Sequence, residues 1–205
     1  MGKVTLSKSS LQKERTQLKL YQKMLPSLDL KRQQLTLELG KAREEHEKIK
    51  SRLETLKSET REQLPMLAVE DLALTGLVML ESVKVETENI VGVKLPVVRE
   101  VKCSIRQYSM FARPFWVDIL VERLREAAEL SAVIYTAEKR VAILEQAKRR
   151  ITQRVNLFEK VLIPGVKNDI KRIVTYLGDL ERTSVVRSKL AKRKQPSAME
   201  ETLEP

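Results

Sequence analysis

Few side chains in this sequence could carry out bond chemistry. There is one histidine, His46, and one cysteine, Cys103, among 205 residues. One histidine cannot make an H-E-x-x-H zinc site, and Cys103 has no Cys or His neighbour at metal-ligand spacing. With only six glycines there is no G-x-x-x-x-G-K-[ST] phosphate loop, and no G-x-S-x-G nucleophile elbow occurs. His46 falls on an apolar helical row, where it reads as a tolerated polar seam residue. Cys103, in a strand-like context, reads as an inert thiol. The chemistry that remains is charge. Arg182, Arg187, Lys189, Lys192, Arg193 and Lys194 form a run of cations with no acid among them. Lys3, Lys8, Lys13, Arg15, Lys19 and Lys23 crowd the amino end against Glu14. Such groups hold anions or acidic protein surfaces; they do not break bonds.

Two long helices are needed to position these ends. Ile134, Ala137, Val141, Leu144, Lys148, Ile151, Val155, Phe158 and Leu162 recur at alternating steps of three and four, with Lys148 the exception. This row lies along one face of a helix that must pack on another. After Leu162 the steps lengthen to four, reaching Val166 and Ile170, then Ile173, Leu177 and Leu180. That is a stutter around Pro164-Gly165, which locally unwinds a left-handed supercoil.

The partner row is Leu11, Glu14, Leu18, Tyr21, Leu25, Leu28, Arg32, Leu35, Leu39, Ala42, His46, Ile49, Leu53 and Leu56. Eleven of these fourteen positions are apolar. Ser7, Ser9 or Ser10 can cap its start, and Pro65 ends it. At ~1.5 Å per residue, the stretch from Ser10 to Arg61 spans about 75 Å. Pro26 inside it removes one backbone donor and reads as a tolerated kink. The second helix is expected from Phe115 to about Val186.

Between the helices the pattern changes. Residues 66–82 are richly apolar without a clear period and read as a short helix. From Val83 to Val101 the period is two, with β-branched residues, Gly92 and Pro96, which predicts a strand-turn-strand hairpin leaning on the helices or a partner. Tyr108, Phe111, Phe115 and Trp116 hold most of the aromatic content. They either pack the hairpin base or form a docking patch. Residues 195–205 are polar and acidic, which predicts a disordered tail.

The bulk composition agrees. Charged residues are 33% and aromatics 4%, which suits a narrow helical seam better than a thick core. The balance of 39 Lys+Arg against 28 Asp+Glu, formally +11, favours an acidic protein, nucleic acid or an anionic membrane face. A lone cysteine suggests a reducing compartment. No signal-like run and no segment of membrane-spanning length is read in the sequence. Met1-Gly2 lacks the Ser or Thr at position six that myristoylation wants, having Leu6 instead.

Three strings now carry a resemblance. Arg154 to Pro164, RVNLFEKVLIP, followed by Ile170-Lys171-Arg172-Ile173, resembles the R-V-N-x-x-E-x-x-x-I-P signature of the D subunit of the V-type and archaeal-type rotary ATPases. Asn89 to Pro96, NIVGVKLP, is similar to that family's N-I-x-G-V-x-x-P hairpin. Thr5, Lys8, Leu11 and Leu18-Lys19 are similar to its amino end. The likeness covers about residues 5–190. The chain departs from the pattern at Pro26, at Leu157-Phe158 and after Lys194.

The resemblance implies a central rotor shaft. Its paired helices would enter a hexamer of nucleotide-binding A and B subunits. A small F subunit would bind alongside, and a funnel-shaped subunit would join the shaft to a membrane ring that carries protons or sodium ions. ATP turnover in the hexamer would then be coupled to ion transport by rotation, with no catalysis, cofactor or metal on this chain.

The expectation is therefore a mainly α protein: a long antiparallel two-helix coiled coil with a small middle region containing a short β-hairpin. Its segments are 1–64, 65–114, 115–190 and a tail at 191–205. Lys8, Leu11, Arg15, Arg182, Arg187 and Lys189 are the expected hexamer contacts. The location is cytoplasmic, touching the membrane only through the complex. The alternative is a basic coiled-coil scaffold for nucleic acid or anionic membrane, although cations and aromatics do not interleave as such binding prefers.

Overall fold

The computed structural model describes residues 5–68, 76–106 and 114–200. Helix α1 runs Lys8–Gln63, and a 3-10 turn follows at Pro65–Ala68. Strands β1 (Val78–Ile90) and β2 (Val93–Ile105) form a hairpin. Helix α2 is Trp116–Leu157, a π-helical turn occupies Phe158–Leu162, and helix α3 is Ile163–Glu200. All fourteen positions of the row from Leu11 to Leu56 are buried or half-buried. The polar members Glu14, Arg32 and His46 keep the register as well as the leucines do. The fold is mainly α with a two-stranded hairpin, as the periodicities require.

The chain divides into two compact units. The larger is Lys31–Ile151. In it α1 and α2 run antiparallel. Going up α1, Arg43, His46, Arg52 and Gln63 meet Glu145, Glu138, Glu126 and Arg123 in descending order. Leu35, Leu39, Ala42 and Leu56 of α1 and Leu144 and Ile151 of α2 are buried along this unit. The unit closes on a cluster of Leu64, Leu77, Trp116, Val117, Leu120 and Val121. These apolar side chains supply the stabilisation, at about 1.5–3 kcal/mol for each fully buried one. The exposed ion pairs add little and mainly favour one register. The Arg43 guanidinium hydrogen-bonds the Glu145 carboxylate and holds its pKa below the ordinary value.

The hairpin is longer than expected, with thirteen residues in each strand. Val78–Ser82, expected to be part of a short helix, belongs to β1. The pairing skips between Leu80 and Ser82, leaving Glu81 as a bulge. That extra residue breaks the period of two where the sequence would have announced a strand. The rest of that expected helix gives a 3-10 turn at Pro65–Ala68, and residues 69–75 lie outside the described ones. β2 leans on the helices: Leu95 is fully buried, and Pro96, Val98 and Val101 share a groove with Ile49, Val133 and Ala137. β1 is mostly exposed. Cross-strand pairs Lys84–Glu100 and Glu86–Arg99, each at 2.7 Å, lie over its charged face.

The aromatic residues differ in burial. Trp116 is 4% exposed and sits in the end cluster, whereas Phe115 is 78% exposed. Tyr108 and Phe111 lie outside the described residues. Cys103 is half-buried on β2. Burial pushes its thiol pKa up, and the charge of Glu129 adds to this, so little reactive thiolate forms at neutral pH.

Ile90 pairs with Val93 across a two-residue turn in which both Val91 (φ 54°) and Gly92 (φ 81°) are left-handed. This is the pattern of a type I′ turn, which favours Asn-Gly. Gly92 adopts it freely, but a β-branched valine is strained there. Val91→Asn is expected to raise the thermal midpoint by about 2–4 °C, as a gain of about 1 kcal/mol does in a chain of this size. Gly92→Ala is expected to lower it comparably. Unfolding followed by circular dichroism checks both.

Candidate functional site: a basic helical tip

The second unit combines residues 1–30 with 152–205. Ser7 starts α1. Its Oγ accepts the Ser10 backbone N–H at 3.2 Å, while Ser10 Oγ accepts the Ser7 N–H at 3.1 Å. This is a capping box with serine in the place usually held by Glu or Gln. Leu11, Leu18, Tyr21, Leu25 and Leu28 are half-buried and face a row in which Val155, Val166 and Ile173 are buried. The Tyr21 and Phe158 rings meet edge-on at 5.2 Å. Pro26 is accommodated inside α1. It and Gln22, whose carbonyl loses its usual donor, both lie on the exposed face, where water can replace the bond.

The stutter is realised as the π-helical turn. The Ile163 N–H donates to the Phe158 carbonyl, five residues back. Pro164 has no N–H to offer and would crowd the carbonyl four residues back. A wider turn absorbs one extra residue. The row therefore resumes at Val166 rather than one residue earlier, and Val166 and Ile173 stay buried.

Past this turn α3 approaches the start of α1. Lys8 Nζ lies 3.8 Å from Glu181, with both side chains exposed. Every residue from 180 to 193 is exposed. The row read from the sequence thus loses its cover at Leu180. Helix α3 continues to Glu200 through residues expected to form a tail, because Ala191 to Gln195 are all good helix formers. Residues 201–205 lie outside the described ones.

The expected contact residues sort unequally. Lys8 pairs with Glu181 of α3, and Arg182 pairs with Asp179 of its own helix at 3.7 Å. Arg15, Arg187 and Lys189 are exposed, and none has an ion pair among the described residues. Leu11 is half-buried on the seam and anchors the helix start. Three residues escaped the sequence reading: Val185, Val186 and Leu190, each more than half exposed beside the cations. Their signal was the i, i+4 spacing of Val186 and Leu190, with Val185 adjacent, on a face off the seam row. A charged, partly apolar helix of this kind can grip a protein surface. Among the described residues no group of His, Cys, Asp and Glu could hold a metal ion.

A family model described as the D subunit of ATP synthase matches residues 10–193. The chain belongs to that family. It is 33% identical to the V-type ATP synthase D subunit of Borreliella burgdorferi over 192 residues, covering 94% of this chain and 95% of the relative. It is 34% identical to that of Chlamydia abortus over 203 residues, covering 98% of each. Membership makes it a stalk subunit of a rotary V-type ATPase and part of that enzyme complex, and nothing favours the nucleic-acid alternative. Among the described residues no helix is long and apolar enough to cross a membrane.

The register of the seam predicts a contrast between two single-residue deletions. Removing Pro164 restores the strict three-four alternation and a backbone donor, and is expected to leave the thermal midpoint unchanged or higher. Removing exposed Asn168 turns Ile170, Ile173 and Leu177 by about 100° off the seam, and is expected to lower the midpoint well below that of the native chain. Equal damage from the two deletions, measured by circular dichroism, would sink this assignment of the register.

Proposed function

We propose that this stalk subunit is the non-catalytic rotor shaft of its ATPase, and that its tip turns inside the hexamer of A and B subunits. The observation that supports this most is the part of α3 beyond Glu181. It is helical, its residues 182–193 are all exposed and include five cations and no acid, and it carries Val185, Val186 and Leu190 uncovered. A shaft end must touch a sleeve without sticking to it. Exposed lysines and arginines make ion pairs worth only about 0–1 kcal/mol each, which can exchange from one acidic sleeve residue to the next. The three apolar side chains supply grip over a small area.

Rotation must present different faces to three nucleotide sites in turn. Two antiparallel helices of different sequence have no threefold symmetry, so each site meets a different surface. ATP turnover at successive A/B interfaces then drives the shaft, and rotation passes to a proton- or sodium-carrying membrane ring through a funnel-shaped subunit. The F subunit binds against the middle of the paired helices. The chain is cytoplasmic and peripheral to the membrane through these partners. Lys8, Arg15, Arg182, Arg187 and Lys189 face the hexamer, with Leu11 holding the start of α1 in place.

In a reconstituted complex, reversing Arg182, Arg187 and Lys189 to Glu is expected to lower ions moved per ATP by about tenfold, as removal of several central contacts does. Hydrolysis by the hexamer should persist, and the isolated chain should hydrolyse no ATP. Val186→Ser with Leu190→Ser should lower the same ratio without lowering the thermal midpoint of the free chain. An unchanged ratio in both variants counts against this placement. Ion transport by a complex lacking the chain would overturn the shaft reading.

A further inference from the structure

In the unit of residues 1–30 and 152–205, the backbone ladder is interrupted on both helices at one level. In α1, Pro26 has no N–H to donate to the Gln22 carbonyl. Across the seam, Phe158 opens the π-helical turn, and Pro164 just beyond it has no N–H either. Gly165 follows, the poorest helix former after proline. The Tyr21 and Phe158 rings, 5.2 Å apart, put the two interruptions opposite each other. Gln22 is next to the first ring in sequence, and the π-helical turn begins at the second.

The apolar cover is thinnest at the same level. No residue between Val155 and Val166 is buried, and none of residues 5–30 is. Tyr21, Leu25, Phe158 and Leu162 are only half-buried. Leu157 and Val161 are turned to water, at 46% and 49% exposure. On the second helix, buried side chains resume on either side, at Val155 and at Val166 and Ile173. Helices bend at prolines and π-turns, and chain opens first where few apolar side chains are buried. A single interruption is braced by the intact helix beside it. Two at one level leave neither helix braced.

We infer that this level is a compliant joint, where the paired helices bend and twist when the sleeve grips the tip. The inference rests on the shaft reading above. Pro26 then has a mechanical role that it shares with the turn before Pro164, and neither interruption acts alone.

Hydrogen exchange of the full-length free chain, followed by mass spectrometry, tests the joint. Amides of residues 158–165 are expected to exchange at least about fivefold faster than those of 146–155 and of 168–177, as the loss of one backbone hydrogen bond allows. Pro26→Ala should slow exchange of 158–165, across the seam, by at least about twofold, the smallest coupling expected between elements in contact. Deleting Pro164 should slow residues 22–27 in return. Exchange that is uniform, or that rises steadily towards the tip as in fraying from the end, overturns the inference. So does slowing confined to the helix that was altered, which would mean two independent local defects. In a complex whose hexamer is fixed to a surface, a bead is attached at Thr87→Cys in a Cys103→Ser background. Its angular spread should narrow when Pro26→Ala and the Pro164 deletion are combined. An unchanged spread overturns the joint and leaves the shaft reading standing, whereas ion transport without the chain overturns both.

Discussion

The constraint on which the structure depends is the fit between the three-four spacing of apolar residues and the turn of an α-helix. α1 has weak intrinsic amphipathicity, because most of its surface is Lys, Arg, Glu and Gln. What holds it is a single narrow row, and every member of that row from Leu11 to Leu56 is at least half-buried. A narrow seam tolerates little error. A one-residue slip turns a helical side chain through about 100°, enough to move it from the seam to water. Everything that alters the count of residues along the helices must therefore be compensated locally.

The turn before Pro164 is such a compensation. The sequence contains one residue too many for an unbroken repeat, and the backbone takes it up between Phe158 and Leu162 instead of passing the error along the helix. This part was legible in the amino acids, since a change in step length has one geometric meaning. The helices, the antiparallel pairing in each unit and a strand-turn-strand hairpin containing Gly92 were legible for the same reason: each follows from a local period or a local backbone requirement.

Other parts were hidden for identifiable reasons. The first residues of β1 carry a bulge at Glu81, which erases alternation over the few residues where it had to be read. Phe115 and Trp116 are neighbours with opposite fates, one in water and one in the end cluster, and composition could not separate them. At the tip, the cations were conspicuous while Val185, Val186 and Leu190 passed as further helix surface. Their exposure follows from where α1 begins, a fact about the pairing of two distant stretches that no local window contains.

Among the described residues, the capping box at Ser7 and the Lys8–Glu181 contact mark the last place where α3 has a companion. Residues 182–193 continue exposed, with no packing partner among the described residues, and a dozen such residues are near the limit at which a helix holds itself together in water. Gripping this stretch would then involve firming up a backbone that is otherwise prone to fray. Part of each contact's free energy goes into that ordering, so every hold is weaker than its contact area suggests. A sleeve closing on such a segment can let go of it again at little cost, and repeated release is what continuous turning demands.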